Sequence, residues 1–216
     1  MLILRTCNAD MTGYGGFKWP ESGPVEAPDW EPTYECGHGL HGLPWGVGGS
    51  EYLNWDEEAK WLVVEAKDDE VLTGQGDLTA KCKFPRGNVV YCGERKGATD
   101  YILDNGGEGK PVVGAIREGG DRSTITSGSL STITSGDRST ITSGSLSTIA
   151  SGDGSTITSG NLSTITGGEG STINIQWWDK KSNRWRITIG YVGEDGIEAN
   201  VPYRCDDNGK LIKVEV

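Results

Sequence analysis

Between Gly120 and Ile175 apolar and polar positions alternate with a regularity found nowhere else in the chain. Written in eights, the stretch reads GDRSTITS, GSLSTITS, GDRSTITS, GSLSTIAS, GDGSTITS, GNLSTITG and GEGSTINI. In five of the seven octads one Ile stands between two threonines, the period-two pattern of a short strand, and in all seven a Gly opens the turn. Acidic residues (Asp121, Asp137, Asp153, Glu169) and leucines (Leu130, Leu146, Leu162) occupy alternate octads, so the true period is sixteen. Self-similarity at a fixed short period marks a solenoid, in which each unit buries its apolar side only against its neighbours. The pattern predicts about three and a half coils, each of two strands and two turns.

Alternation also predicts which side chains face inward. Burying apolar surface puts Ile125, Ile133, Ile141, Ile149, Ile157, Ile165 and Ile173 in a ladder through the core. The seven Ser from Ser123 to Ser171 also point in, where their hydroxyls can bond turn backbone. The opposite register would expose the whole Ile ladder as one apolar patch. The threonines then form two outward arrays. One carries Thr124/Thr126, Thr140/Thr142, Thr156/Thr158 and Thr172/Asn174; the other carries Thr132/Thr134, Thr148/Ala150 and Thr164/Thr166. Coils about 4.8 Å apart make each array about 17 Å tall. The threonines of these arrays are the candidate binding residues.

A sixteen-residue unit of two Gly-led octads with Thr-x-Thr strands resembles the repeat of bacterial ice nucleation proteins. The whole chain is similar to uncharacterised phage and prophage proteins that set such repeats between a fixed head and tail. The head pieces carrying that likeness are Leu4–Cys7, Glu35–Gly42 and Trp61–Glu65; the tail pieces are Trp177–Asp179 and Gly190–Ile197. The first resemblance implies an ice-binding face. The second implies a phage origin and brings no activity with it.

Outside the repeats the pattern weakens. The expected class is all-β, with a mixed but mostly β head (1–110), a solenoid (111–175) and a small β cap (176–216). In the head, strands are expected at Leu2–Cys7, Trp61–Ala66 and Val89–Cys92, a helical turn near Asn54–Lys60, and a short helix over Thr99–Leu103. Tyr14, Phe17, Trp19 and Trp30 are expected to pin a long Gly- and Pro-rich loop. Lys110–Glu118 reads as an irregular first coil. In the tail, Ile173–Trp178 and Trp185–Val192 read as strands, and Asp207-Asn208-Gly209 as the turn of a hairpin between Val201–Cys205 and Leu211–Val216. The head and cap are expected to cover the open ends of the solenoid, with Trp177, Trp178 and Trp185 plugging the last coil.

Composition changes this picture little. Hydrophobic content is only 34%, with 34 Gly, as a threadlike core of Ile and turns requires, so the low value does not signal disorder. Residues 1–119 carry 20 acidic and 11 basic side chains, the repeats 4 and 2, and residues 176–216 7 and 7, so the net charge of −11 belongs mainly to the head. Surplus acid favours solubility. No basic stripe is present to neutralise phosphate, which argues against nucleic acid. No 18-residue apolar run is present, so no membrane partner is expected. Met1–Arg5 does not read as a signal peptide, so the expected location is the host cytoplasm or a virion. Five Cys at wide spacing fit reduced thiols.

Chemistry-bearing residues are few. Cys36-Gly-His-Gly-Leu-His41 brings metal-ligand types together, but zinc sites usually draw four ligands from paired clusters and the other Cys are scattered singles. No metal or cofactor is therefore assigned, with Cys36, His38 and His41 the nearest candidates. Arg5 followed by a Gly-Leu-His turn is loosely similar to ADP-ribosyltransferase-like domains, although the glutamate they need has no clear position. The Asp121–Glu169 ladder stacks like charges, with Arg122 and Arg138 placed to compensate. No catalytic residue is assigned. The expected function is a non-enzymatic binding or structural module engaging a host or virion protein. Ice binding through the Thr arrays is the alternative, and an ADP-ribosyltransferase-like head the second alternative.

Overall fold

A computed structural model describes residues 1–214. The chain divides into two compact units, Met1–Val113 and Gly114–Val216.

The first unit is built on strand β1 (Leu2–Cys7), whose near-continuous apolar run is buried on both faces. The further strands are β2 (Gly23–Glu26), β3 (Leu40–Pro44), β4 (Lys60–Glu65), β5 (Leu72–Thr73), β6 (Cys82–Phe84) and β7 (Arg86–Gly93). They form one sheet in the order β2-β7-β4-β1-β3-β6-β5, with β1 antiparallel to both β3 and β4. Helix α1 (Arg95–Ile102) packs on β4 and β7 through Ala98, Thr99 and Ile102. It starts four residues before the helix expected at Thr99, because the polar opening Arg95–Gly97 carries no apolar signal. Asn54–Lys60 is not helical; there Asn54 Oδ1 accepts the Asp56 N–H at 3.0 Å in a local turn. Of the aromatics expected to pin the loop, Trp19 is 2% exposed but Tyr14 is 99% exposed and pins nothing.

The second unit is the solenoid. One parallel sheet stacks β8 (Ile116–Glu118), β10 (Thr132–Ser135), β12 (Thr148–Ser151) and β14 (Thr164–Gly167). The other stacks β9 (Thr124–Thr126), β11 (Thr140–Ser143), β13 (Thr156–Ser159) and β15 (Thr172–Asp179). Every pairing joins residues sixteen apart, such as Ile141 with Ile157. The Ile ladder faces inward as expected: Ile125 is 5% exposed and the other six at most 1%. Four strands in each sheet make about four coils, the addition being β8, which carries none of the repeat motif. There Ile116 takes the Thr position opposite Thr132, and Arg117 the Ile position opposite Ile133.

The turns stack as closely as the strands. Arg122, Leu130, Arg138, Leu146 and Leu162 all have φ of 55–60°, a left-handed conformation unusual for such residues. In the first four it aims the N–H at the next coil: Arg122 donates to Asp137 C=O at 2.7 Å and Leu130 to Ser145 C=O at 2.9 Å. The octad-leading Gly serves close approach. A Cβ on Gly152 would lie 2.8 Å from Asp137 N and 2.9 Å from Gly136 C. The serines bond turn backbone as expected. Ser139 Oγ donates to Gly136 C=O at 3.0 Å, and Ser139 N–H donates to Ser155 Oγ at 3.1 Å.

Beyond the repeats, β16 (Arg184–Tyr191) pairs antiparallel with β15, and β17 (Pro202–Cys205) pairs antiparallel with β14. Strand β18 (Leu211–Lys213) completes the hairpin; the last two residues of the strand expected there, Glu215 and Val216, lie outside the described residues. The core is closed by Ile175, Val192, Tyr203 and Cys205, with Trp177 packed beside them. Trp178 and Trp185 do not plug it. They stand 36% and 48% exposed on the outer face as an edge-to-face pair with centroids 5.2 Å apart.

Three substitutions test the stacking. Ile157→Ala should cost about 2–5 kcal/mol as a buried cavity. Gly152→Ala should also destabilise, whereas Gly120→Ala, with nothing within 4 Å of the added Cβ, should be close to neutral. Urea unfolding of the three variants checks the order.

Candidate functional site

Each solenoid sheet turns its threonines outward in register. On the β9–β15 sheet Thr124, Thr140 and Thr156 align with Thr172, and Thr126, Thr142 and Thr158 with Asn174. On the β8–β14 sheet Thr132, Thr148 and Thr164 form one row; Thr134, Ala150 and Thr166 form the other. Thr124, Thr132, Thr134, Thr140, Thr142, Thr148 and Thr156 are exposed, and Thr126, Thr158, Thr164 and Thr166 partly so. The result is a lattice of hydroxyl and methyl groups, about 4.8 Å between coils and about 7 Å along a strand. The buried Ile ladder beneath fixes both spacings.

The lattice ends differently at each margin. Asn174 ties back, its Nδ2 donating to Ile157 C=O at 3.1 Å and to Thr158 Oγ1 at 3.4 Å. The next strand, β16, places Tyr191 opposite Thr172 and Ile189 opposite Asn174, so hydroxyls give way to apolar side chains. On the other sheet Pro202 lies opposite Thr166.

At the corners the acidic ladder has a structural use. Asp121 Oδ1 accepts the N–H of Asp137 at 3.0 Å, Asp137 that of Asp153 at 2.9 Å, and Asp153 that of Glu169 at 2.8 Å. Each carboxylate thus holds the turn of the next coil. No ion pair among the described residues involves Arg122 or Arg138, so backbone donors, rather than the guanidinium partners expected, offset the stacked charge.

In the first unit, Arg5, Trp19, Cys36, His38, His41 and Lys81 line part of a cavity of about 710 Å³. Strands β1 and β3 place Arg5 and His41 side by side, and Arg5 Nη1 donates to His41 C=O at 2.7 Å. The guanidinium lies 4.3 Å from the Trp19 ring centroid, and burial lowers its pKa to about 10. Burial, then the nearby charges of Lys81, Arg5 and Lys83, lowers His41 to about 4, leaving a neutral imidazole. Lys81 Nζ donates to Cys36 Sγ at 2.9 Å, and His38 Nδ1 lies 3.7 Å from Asp29. Cys36, His38 and His41 therefore share a wall but face different partners, and among the described residues no three His, Cys, Asp or Glu side chains converge on one point. All five cysteines are free. No helix among the described residues is long and apolar enough to cross a membrane.

Comparison with known proteins adds two findings. Residues 1–103 match a family model described as a domain of unknown function (DUF7666). The chain is also similar to ice nucleation proteins. It is 41% identical over 105 residues to one from Pseudomonas fluorescens, covering 49% of this chain and 8% of the relative. It is 40% identical over 115 residues to one from Xanthomonas campestris pv. translucens, covering 53% of this chain and 7% of the relative. It is 35% identical over 149 residues to ice nucleation protein InaU of Pantoea ananas, covering 60% and 14%. The chain thus spans only a small fraction of the length of these relatives. No solved structure matches it.

The His41 environment makes a pH prediction. Its folded pKa, about 4, lies below its ordinary 6.5, so the unfolded chain takes up the proton first. This contribution to stability is complete above about pH 6.5 and is lost as pH falls towards about 4. Chemical unfolding of His41→Gln across that window should show a shallower loss than the parent protein.

Proposed function

We propose that the solenoid is an ice-binding element of modest strength, acting through its two threonine faces. The observation that carries this reading is the in-register outward array, Thr124/Thr140/Thr156/Thr172 beside Thr126/Thr142/Thr158, held over a buried Ile ladder. Hydroxyls and methyls repeating in two dimensions on a rigid support can anchor a layer of ordered water whose spacing suits an ice surface. Little entropy is then lost on contact, because the side chains are β-branched and the backbone beneath them is fixed. The similarity to proteins named for ice nucleation supports the same direction.

Size sets the expected strength. One face is only four strands deep and the other three, and Asn174 and Ala150 interrupt them in turn. Such a patch can adsorb to a growing crystal but offers too little area to template one. The expected activity is therefore ice shaping, weak thermal hysteresis or slowed recrystallisation, rather than nucleation.

Thr140→Lys combined with Thr156→Lys tests the reading, because both side chains are exposed and neither belongs to the core. The double variant should keep its far-ultraviolet circular dichroism and melting behaviour while losing ice shaping in a nanolitre osmometer. Wild-type protein that leaves crystals unshaped at millimolar concentration, or a double variant as active as its parent, would overturn it.

A further inference from the structure

Strand β16 is the outermost strand of its sheet, and its outer face is apolar. Trp185, Ile187, Ile189 and Tyr191 alternate along it with exposures of 48, 59, 55 and 51%. The free edge belongs to the same four residues. Thr172 N–H donates to Ser155 C=O, away from β16, while Val192 N–H donates to Ser171 C=O, towards β15. Antiparallel alternation then turns the backbone of Gly190, Thr188 and Arg186 towards β15, and that of Tyr191, Ile189, Ile187 and Trp185 outward. Tyr191 C=O already accepts the Glu194 N–H at 3.1 Å, so the open backbone groups are those of Trp185, Ile187 and Ile189 with the Tyr191 N–H. They coincide with exposed apolar side chains on one strand, the combination that invites strand addition.

We propose that a second copy of this chain docks here, β16 against β16, antiparallel about a two-fold axis at Thr188. The strand is complementary to itself in that register. Ile187 faces the second copy's Ile189, and Trp185 faces its Tyr191, so all four apolar side chains gain a cross-strand apolar neighbour. A shift of the axis by one residue in either direction leaves Tyr191 opposite Asn183 or Trp185 opposite Gly193. Arg186 faces Gly190, so no guanidinium meets another. Charge agrees at the ends: Lys181 and Arg184 at the start of the strand come beside the exposed Glu194 and Asp195 that follow it in the second copy. An isologous contact of this kind closes at two copies. It is independent of what the threonine faces bind.

Sedimentation equilibrium or light scattering of the full chain tests the proposal. Wild-type protein should be a dimer. Ile187→Lys, at a side chain exposed in the single chain, should keep the fold and weaken association by about tenfold or more, since it sets an unpaired charge against Ile189. Adding Ile189→Glu to Ile187→Lys places opposite charges across both symmetric positions and should restore the dimer. A monomeric wild type, an open series of larger assemblies, an unaffected single variant or an unrescued double variant would each overturn it; these last two would place any self-association at another edge or in another register.

Discussion

Everything in the second unit depends on one spacing, the distance at which a strand accepts hydrogen bonds from its own repeat. Because each coil lies at strand-to-strand distance above the last, any atom at one level meets its equivalent at the next. Ser139 N–H reaches Ser155 Oγ, Asp137 Oδ1 reaches the N–H of Asp153, and Ile141 packs on Ile157. A residue type is tolerated only if it can stack on itself. Gly satisfies this at Gly136, Gly144, Gly152, Gly160 and Gly168 because the backbone of the neighbouring turn fills the space a Cβ would need. The carboxylates satisfy it by accepting a backbone donor, which offsets the repulsion a bare column of like charges would carry.

The same spacing explains why the outer faces are suited to an ordered ligand. Once the Ile ladder sets coil height, the threonines above it have no freedom in two dimensions and little in χ1. Position is therefore inherited from the core. Deviations from the repeat are tolerated outside and not inside: Ala150 replaces a Thr without disturbing Ile149 or Ser151, both buried. This asymmetry is what a core selected for packing and a face held only by register should show.

Legibility followed repetition. The sixteen-residue period, the inward Ile and Ser and the outward Thr could be read because each position recurs several times, so a wrong register would fail several times over. β8 shows the limit: Lys110–Glu118 could be read as an irregular first coil, but Ile116-Arg117-Glu118 shares no motif with the strands it joins, so nothing in its residue types signals that Ile116 takes a Thr position and Arg117 an Ile position. The left-handed Leu130, Leu146 and Leu162 were hidden because nothing in a leucine signals positive φ. In the head, Arg5, His41 and Lys81 meet only through the pairing of β1, β3 and β6, a non-local arrangement that spacing along the chain does not encode. The alternation Trp185-x-Ile187-x-Ile189-x-Tyr191 was plain in the sequence, but period two says only that one side is apolar. It does not say whether that side is covered.

That last ambiguity bears on how a solenoid can end. A stack of identical parallel strands has no intrinsic stop, since its final strand offers the same bonds as every strand before it. Here both sheets end by reversing direction: β16 and β17 run antiparallel to the strands they join, so the next coil has no parallel template. Reversal ends the repeat but does not remove the edge. In the β14 sheet a further strand, β18, pairs with β17 and moves the edge outward by one strand. In the β15 sheet nothing among the described residues follows β16, and there the outer face carries Trp, Ile and Tyr instead of the Lys or Pro that usually blunts an edge. Side chains of that kind on an unblunted edge favour pairing, and a strand whose apolar positions match their own reversal is matched to another copy of itself.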